Sequence, residues 1–129
     1  SRIHVAAVSM EDREVNATVV NAVQRVSSVV TQRSLIEAFG LTVAEAMWKK
    51  APVVASAVGG IRDQIDDGVD GVLVDPADGA AWAEAVRDLL LFPERAREMG
   101  LAAHESVRRE FLSNRHLQDL LDIVADLVG

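Results

Sequence analysis

Two glutamates flank a glycine where a loop runs into a helical pattern. Glu37 comes before Gly40, and Glu45 comes after it on the predicted helix. The first N–H groups of a helix have no internal partners and lie at the positive end of its dipole, so a diphosphate could bind there without a basic side chain. Gly40 would allow a ligand to approach the backbone closely. The segment is therefore a candidate anion site.

The two carboxylates indicate a ligand that carries hydroxyl groups beside its phosphates. Acids in this position would repel phosphate, but a carboxylate can accept hydrogen bonds from both hydroxyls of a vicinal diol. Each charge-assisted bond contributes about 1.5–3 kcal/mol. One glutamate could hold a ribose and the other a hexose, which predicts a site for sugar, diphosphate and sugar.

Simpler interpretations of both glutamates stay open on spacing alone. Thr42 and Glu45 match a capping box, in which a glutamate in the first helical turn bonds back to the N–H of the capping residue. Glu37 could be an ordinary solvated loop acid, because unpaired acids usually lie on the surface.

The elements that would position these residues alternate along the chain. Short β-branched runs and amphipathic helical patterns follow one another, which predicts βα units and a parallel sheet. The predicted strands are residues 3–8, 29–31, 53–55 and 72–74. The predicted helices are residues 13–26, 42–49, 61–65, a helix carrying Trp82, Ala85, Val86 and Leu89, residues 93–111 with an interruption at Gly100, and residues 116–128. All of residues 1–129 are predicted to form one α/β domain.

The composition excludes several classes of protein. Acidic residues outnumber basic ones by 20 to 13 among 129 residues, and the net charge of −7 argues against a nucleic-acid partner. Cysteine is absent, which excludes disulfides and thiolate metal sites and favours a cytoplasmic location. No apolar run approaches the roughly 18 residues of a membrane span. The apolar stretch at residues 3–8 leads us to expect further sequence upstream.

The remaining polar residues favour plain structural roles. The three histidines lie on different elements: His4, His104 and His116. Their scatter lacks metal-ligand spacing, so we expect core or surface histidines and no metal site. Asp66, Asp67 and Asp70 lack the bidentate glutamate of a calcium loop, which predicts a solvated turn.

The segment of residues 32–49, with residues 52–54 and 58–61 behind it, resembles the retaining glycosyltransferases of the GT-B fold. That group contains glycogen synthase and sucrose synthase, and Glu37 and Glu45 match its acidic motif. Within it, the likeness is closest to the trehalose-forming branch, meaning trehalose glycosyltransferring synthase and retaining trehalose phosphorylase. The residues that carry this finer likeness are 21–25, 32, 34, 46–49 and 59–65.

The resemblance implies a fold, a reaction and roles for named residues. The fold would be part of a Rossmann-like doubly wound parallel sheet, an incomplete C-terminal domain of the GT-B fold. The reaction would be transfer of glucose from UDP-glucose, ADP-glucose or glucose 1-phosphate to glucose, forming trehalose with no separate cofactor. Glu37 would bind the donor glucose and Glu45 the ribose. Backbone groups along the sugar and diphosphate would come from Phe39, Gly40, Leu41 and Thr42.

The sequence departs from the family pattern in two ways. Ala38 stands where the family usually has glycine, and its Cβ could narrow the sugar pocket. The basic pair that neutralises the leaving diphosphate, and the acceptor-binding N-terminal lobe, are not in the sequence, so we expect donor binding without turnover. The alternative function is a non-catalytic Rossmann-like nucleotide-binding or regulatory module.

The sheet implied by the resemblance has the strand order 3-2-1-4-5-6, and the predicted strands correspond to strands 3, 4, 5 and 6. Strand 4, at residues 29–31, would then lack its neighbour. An apolar strand edge invites pairing with a second chain, so we expect a homodimer or strand exchange through residues 3–8 or 29–31.

Overall fold

A computed structural model describes residues 3–8 and 11–111 of the chain. The helices and strands in these residues are α1 (Arg13–Val26), β1 (Val30–Gln32), α2 (Leu41–Trp48), β2 (Val53–Ser56), α3 (Ile61–Gln64), β3 (Val72–Val74), α4 (Gly79–Leu91) and α5 (Pro93–Glu110). None of these helices is long and apolar enough to cross a membrane. The predicted helix at residues 116–128, with His116, lies outside the described residues.

The three strands form one parallel sheet in the order β1-β2-β3. Val30 pairs with Val53, and Val54 pairs with Val72, so β2 is the central strand. All four residues of β2 are buried because helices cover both faces of the sheet. The α/β class and the parallel arrangement are confirmed, and the three observed strands lie within one residue of the predicted bounds.

Two apolar clusters, one on each side of the sheet, make up the core. On one side, Val53 and Ala55 of β2 pack with residues of α2 and α5, among them the fully buried Met47. On the other side, Val54 packs with Trp82 of α4. Successive strand residues point to opposite faces, so β2 contributes to both clusters. Complete burial of one such side chain contributes about 1.5–3 kcal/mol.

Residues 3–8 do not form the predicted buried strand. The structure assigns them no strand, and the side chains of Ile3 and Val5 are 87% and 93% exposed. A strand needs a neighbour to satisfy its N–H and C=O groups, and the described sheet places none beside these residues. The prediction of β1 as an edge strand is confirmed for the described sheet.

Gly100 does not interrupt α5, which runs unbroken from Pro93 to Glu110. Its hydrogen atom faces the turn after α2, where a Cβ on Gly100 would lie 2.1 Å from the carbonyl oxygen of Lys50. Lys50 itself has a φ of 63°. One turn further along α5, His104 Nδ1 lies 2.6 Å from the carbonyl oxygen of Trp48, and the two rings stack. Gly100 is therefore a packing residue that lets α5 approach α2.

We expect Gly100→Ala to destabilise the protein by roughly 1–3 kcal/mol, because the new methyl group collides with backbone that cannot move aside. The matched control is Gly79→Ala in α4, where a Cβ meets nothing within 4 Å. That control should change stability by less than about 0.5 kcal/mol. Urea denaturation of both variants measures the difference, and equal midpoints would contradict the packing role.

Candidate functional site

The predicted acidic segment is a loop at the carboxyl end of the sheet. Residues 33–40, called here the acidic loop, connect β1 to the start of α2. In open parallel sheets, ligands bind outside the carboxyl ends of the strands. The loop therefore occupies the region where this fold class binds small molecules.

A glycine turn between β2 and α3 holds the middle of the acidic loop. The N–H of Gly60 donates to the carbonyl oxygen of Glu37 at 3.2 Å. A Cβ on Gly59 would lie 1.8 Å from that same oxygen, and a Cβ on Gly60 would lie 2.1 Å from the carbonyl oxygen of Ala38. Gly59 also has a φ of 46°, which side chains rarely adopt. The contact therefore requires glycine at both positions.

Arg33 anchors the beginning of the acidic loop to the turn after β3. Its Nε and Nη2 donate to the carbonyl oxygen of Pro76 at 3.2 and 2.9 Å. The guanidinium lies 5.9 Å from the ring centre of Trp82, within the range of a cation–π contact. The loop is thus held at two points by distant parts of the chain.

Glu37 lies partly buried within this loop. Ser34 Oγ donates to Glu37 Oε2 at 3.4 Å, and Gln32 Nε2 donates to Ser34 Oγ at 2.9 Å. The first bond is long and therefore weak. A carboxylate offers about four lone-pair sites, so this single bond leaves capacity for hydroxyl donors. Glu37 is a half-buried acceptor with one weak internal hydrogen bond.

The helix α2 begins at Leu41 without a side-chain cap. Gly40 is the N-cap residue and has no side chain to cap this start, and the Leu41 N–H donates to the carbonyl oxygen of Phe39 at 2.9 Å. Thr42 is therefore the second helical residue, and Glu45 lies beyond the first turn. The capping-box interpretation of Thr42 and Glu45 is wrong, because the helix begins two residues earlier than that box requires.

Glu45 faces a cleft between α1 and α2. The cleft is a cavity of about 430 Å³ lined by Asn16, Ala17, Val20, Asn21, Arg25, Glu45, Trp48 and Lys49. Gln24 braces its wall, because it accepts a hydrogen bond from Lys49 Nζ at 2.6 Å and donates to the carbonyl oxygen of Thr42 at 3.4 Å. The cleft thus combines a carboxylate with cationic side chains.

The remaining predicted site residues lie around the start of α2. Gly40 is buried, whereas Leu41 and Thr42 are exposed. Phe39 is 47% exposed and meets Phe111 edge to face at 6.0 Å. The structure thus brings the loop residues and the helix start together, and places Glu45 one turn further along α2.

Ala38 introduces no backbone strain at the position where the family usually has glycine. Among the described non-glycine residues, only Lys50 has a positive φ. Ala38 is exposed.

Asp70 is not the solvated turn residue that was predicted. It is 3% exposed, and its Oδ1 accepts the N–H of Asp66 at 2.7 Å. Asp67 Oδ1 accepts the N–H of Leu73 at 2.8 Å. These acids therefore close their own loop. Across residues 3–8 and 11–111, no group of three acids or histidines could hold a metal ion.

The sequence interpretation did not find the buried side chains of Gln64 and Ser56. The amide atoms of Gln64 and the hydroxyl of Ser56 are buried, and no described residue bonds to them. Gly59 and Gly60 entered the sequence analysis only as part of the family resemblance, without a structural role. Their adjacency before a helical turn was the available signal, but it does not reveal the loop they contact.

Comparison with known proteins identifies the class to which this fold and loop belong. Residues 13–106 match the family model described as Glycosyl transferases group 1, so the chain belongs to that family.

Within the family, the chain is homologous to trehalose synthases. It is 50% identical over 115 residues to the trehalose synthase of Pyrococcus horikoshii, covering 89% of this chain and 27% of that protein. The chain thus spans about a quarter of the length of the trehalose synthases that it matches.

Solved structures agree on the fold. Sucrose-phosphate synthase from Thermosynechococcus elongatus has a TM-score of 0.74 and 31% identity, covering 88% of this chain and 28% of that one. HepE from Anabaena, solved in complex with UDP-glucose, has a TM-score of 0.73 and 22% identity over 83% of this chain and 30% of its own, a likeness of fold.

We expect Gly59→Ala to destabilise the protein by about 2–5 kcal/mol, since it adds a collision with the acidic loop to the cost of a positive φ. Gly68→Ala is the matched control, because Gly68 also has a positive φ but open space around it, so only about 1–2 kcal/mol is expected. Urea denaturation compares the two. If the two variants lost equal stability, the glycine turn would not hold the loop.

Proposed function

We propose that this chain binds the nucleotide-glucose donor of a retaining glucosyltransferase that forms trehalose. The observation that carries the proposal is the start of α2, which no side chain caps, directly after a loop that holds the half-buried carboxylate of Glu37. The diphosphate lies at the positive end of α2, Glu45 accepts the ribose hydroxyls, and Glu37 accepts the hydroxyls of the donor glucose.

The relatives support this choice of substrate class. The trehalose synthase of Pyrococcus horikoshii is half identical to this chain, and HepE was solved with UDP-glucose. UDP-glucose and ADP-glucose share the three chemical parts that the site can recognise. Ribose, diphosphate and glucose follow one another in both molecules.

The chemistry expected of the site is stabilisation of a leaving group. During transfer, the bond from the donor anomeric carbon to the diphosphate oxygen breaks. A bond to the anomeric hydroxyl oxygen of the acceptor glucose forms, and the hydroxyl proton leaves to the diphosphate. Negative charge grows on the diphosphate as it departs, and the positive end of the α2 dipole stabilises that charge. The chain by itself is proposed to bind donor without transferring glucose.

Glu45→Gln and Glu37→Gln should separate the two sugar contacts. We expect Glu45→Gln to weaken binding of UDP and UDP-glucose about 10–100-fold, because it removes charge-assisted hydrogen bonds to ribose. Glu37→Gln should weaken the binding of UDP-glucose by a similar factor and leave the affinity for UDP unchanged. Isothermal titration calorimetry measures both, with ADP and ADP-glucose titrated in parallel.

The matched control is Glu98→Gln, on the exposed surface of α5. It should leave every affinity unchanged. If Glu45→Gln left the affinity for UDP unchanged, the ribose contact would be ruled out. If the unaltered chain bound none of the four ligands, the donor-binding function would fall.

We also propose that two copies of the chain associate through the free edge of β1. The N–H of Val30 donates to Pro52 of the neighbouring segment at 2.9 Å, so the next residue, Thr31, directs its N–H toward the open edge. The segment of residues 3–8, with the exposed apolar side chains of Ile3 and Val5, is available to pair there.

Thr31→Pro removes the edge donor without altering the pairing of β1 with β2. We expect the unaltered chain and the control Thr31→Val to have a dimeric mass by light scattering at high concentration, and Thr31→Pro to be monomeric. A monomeric mass for the unaltered chain would rule out this association.

A further inference from the structure

Gln64 presents an unsatisfied amide to the start of α2. Its side chain is 4% exposed, and neither amide atom has a partner among the described residues. Its Oε1 lies against Gly40, where a Cβ would be only 2.8 Å away. The buried amide therefore points at the uncapped N-cap residue of the helix.

A buried amide without partners is unfavourable, because it has given up its hydrogen bonds to water. An amide can make four hydrogen bonds, two as a donor and two as an acceptor. An apolar side chain of similar length would fill the same space at lower cost. The presence of glutamine here points to a partner outside the described residues.

We propose that Gln64 is a diphosphate-binding residue whose amide is satisfied only when the donor occupies the start of α2. This inference rests on the proposed donor-binding function and adds a contact to it. A half-turn about the last side-chain torsion exchanges the amide oxygen and nitrogen in the same volume, and that torsion has a broad two-fold energy profile. The turn directs Nε2–H toward Gly40 and the phosphate oxygens.

The diphosphate is the part of the donor that fits this position. Phosphate oxygens are strong acceptors, and the amide of Gln64 is a neutral donor beside the helix start. The only carboxylates of the acidic motif, Glu37 and Glu45, cannot donate to phosphate when ionised. Gln64 thus supplies a side-chain donor without adding charge to the site.

Gln64→Met tests the inference, because methionine has similar length and no polar hydrogen. We expect the melting temperature to stay the same or rise, and the dissociation constant for UDP to rise about 10-fold or more. Pyrophosphate has no ribose, so Gln64→Met should weaken its binding and Glu45→Gln should leave its binding unchanged. Calorimetry measures the affinity for UDP, and chemical-shift changes of the backbone amides of α2 measure the binding of pyrophosphate.

A second measurement uses the unaltered chain and does not depend on the variant folding. The ¹⁵N side-chain resonances of Gln64 should shift on addition of UDP and of pyrophosphate. The role of Gln64 would be overturned if Gln64→Met bound UDP with unchanged affinity. It would also be overturned if neither ligand shifted the Gln64 side-chain resonances. If the unaltered chain failed to bind UDP at all, the proposed function itself would fail instead.

Discussion

The close backbone contact between the glycine turn and the acidic loop is the constraint on which the candidate site depends. The loop has no helix or strand hydrogen bonds of its own, so its position is set by what touches it. Gly60 bonds to the carbonyl of Glu37, and neither Gly59 nor Gly60 has room for a Cβ. Arg33 fixes the loop's other end on Pro76. The direction of the Glu37 carboxylate and the start of α2 follow from these anchors.

The C-terminal end of α2, the helix that follows the loop, is fixed by contacts with α5. Gly100 lets α5 approach the carbonyl of Lys50, and His104 contacts the carbonyl of Trp48. A helix start can bind an anion precisely only if the helix itself does not shift. The packing of α5 on α2 therefore fixes the helix that carries the proposed anion site.

The proposed donor site divides charge between a helix start and two carboxylates. In that proposal the start of α2 binds the phosphates, whereas Glu37 and Glu45 repel phosphate and accept hydroxyl donors. In a chain with a net charge of −7, a free phosphate gains little from the surroundings. A molecule with hydroxyl groups on both sides of a diphosphate satisfies all three features together.

The sequence by itself determined the elements whose signals are local. The apolar spacing of α1 predicted its bounds as observed, and three of the four predicted strands lie within one residue of the observed bounds. Helical and strand periodicity depend on neighbouring residues, so the sequence shows them directly. The identities of Glu37, Gly40 and Glu45 were equally visible. Only the tertiary structure decided that residues 3–8 form no strand, that Gly100 packs rather than breaks a helix, and that the buried amide of Gln64 faces Gly40. Each of these features depends on whether residues distant in the sequence pack beside it.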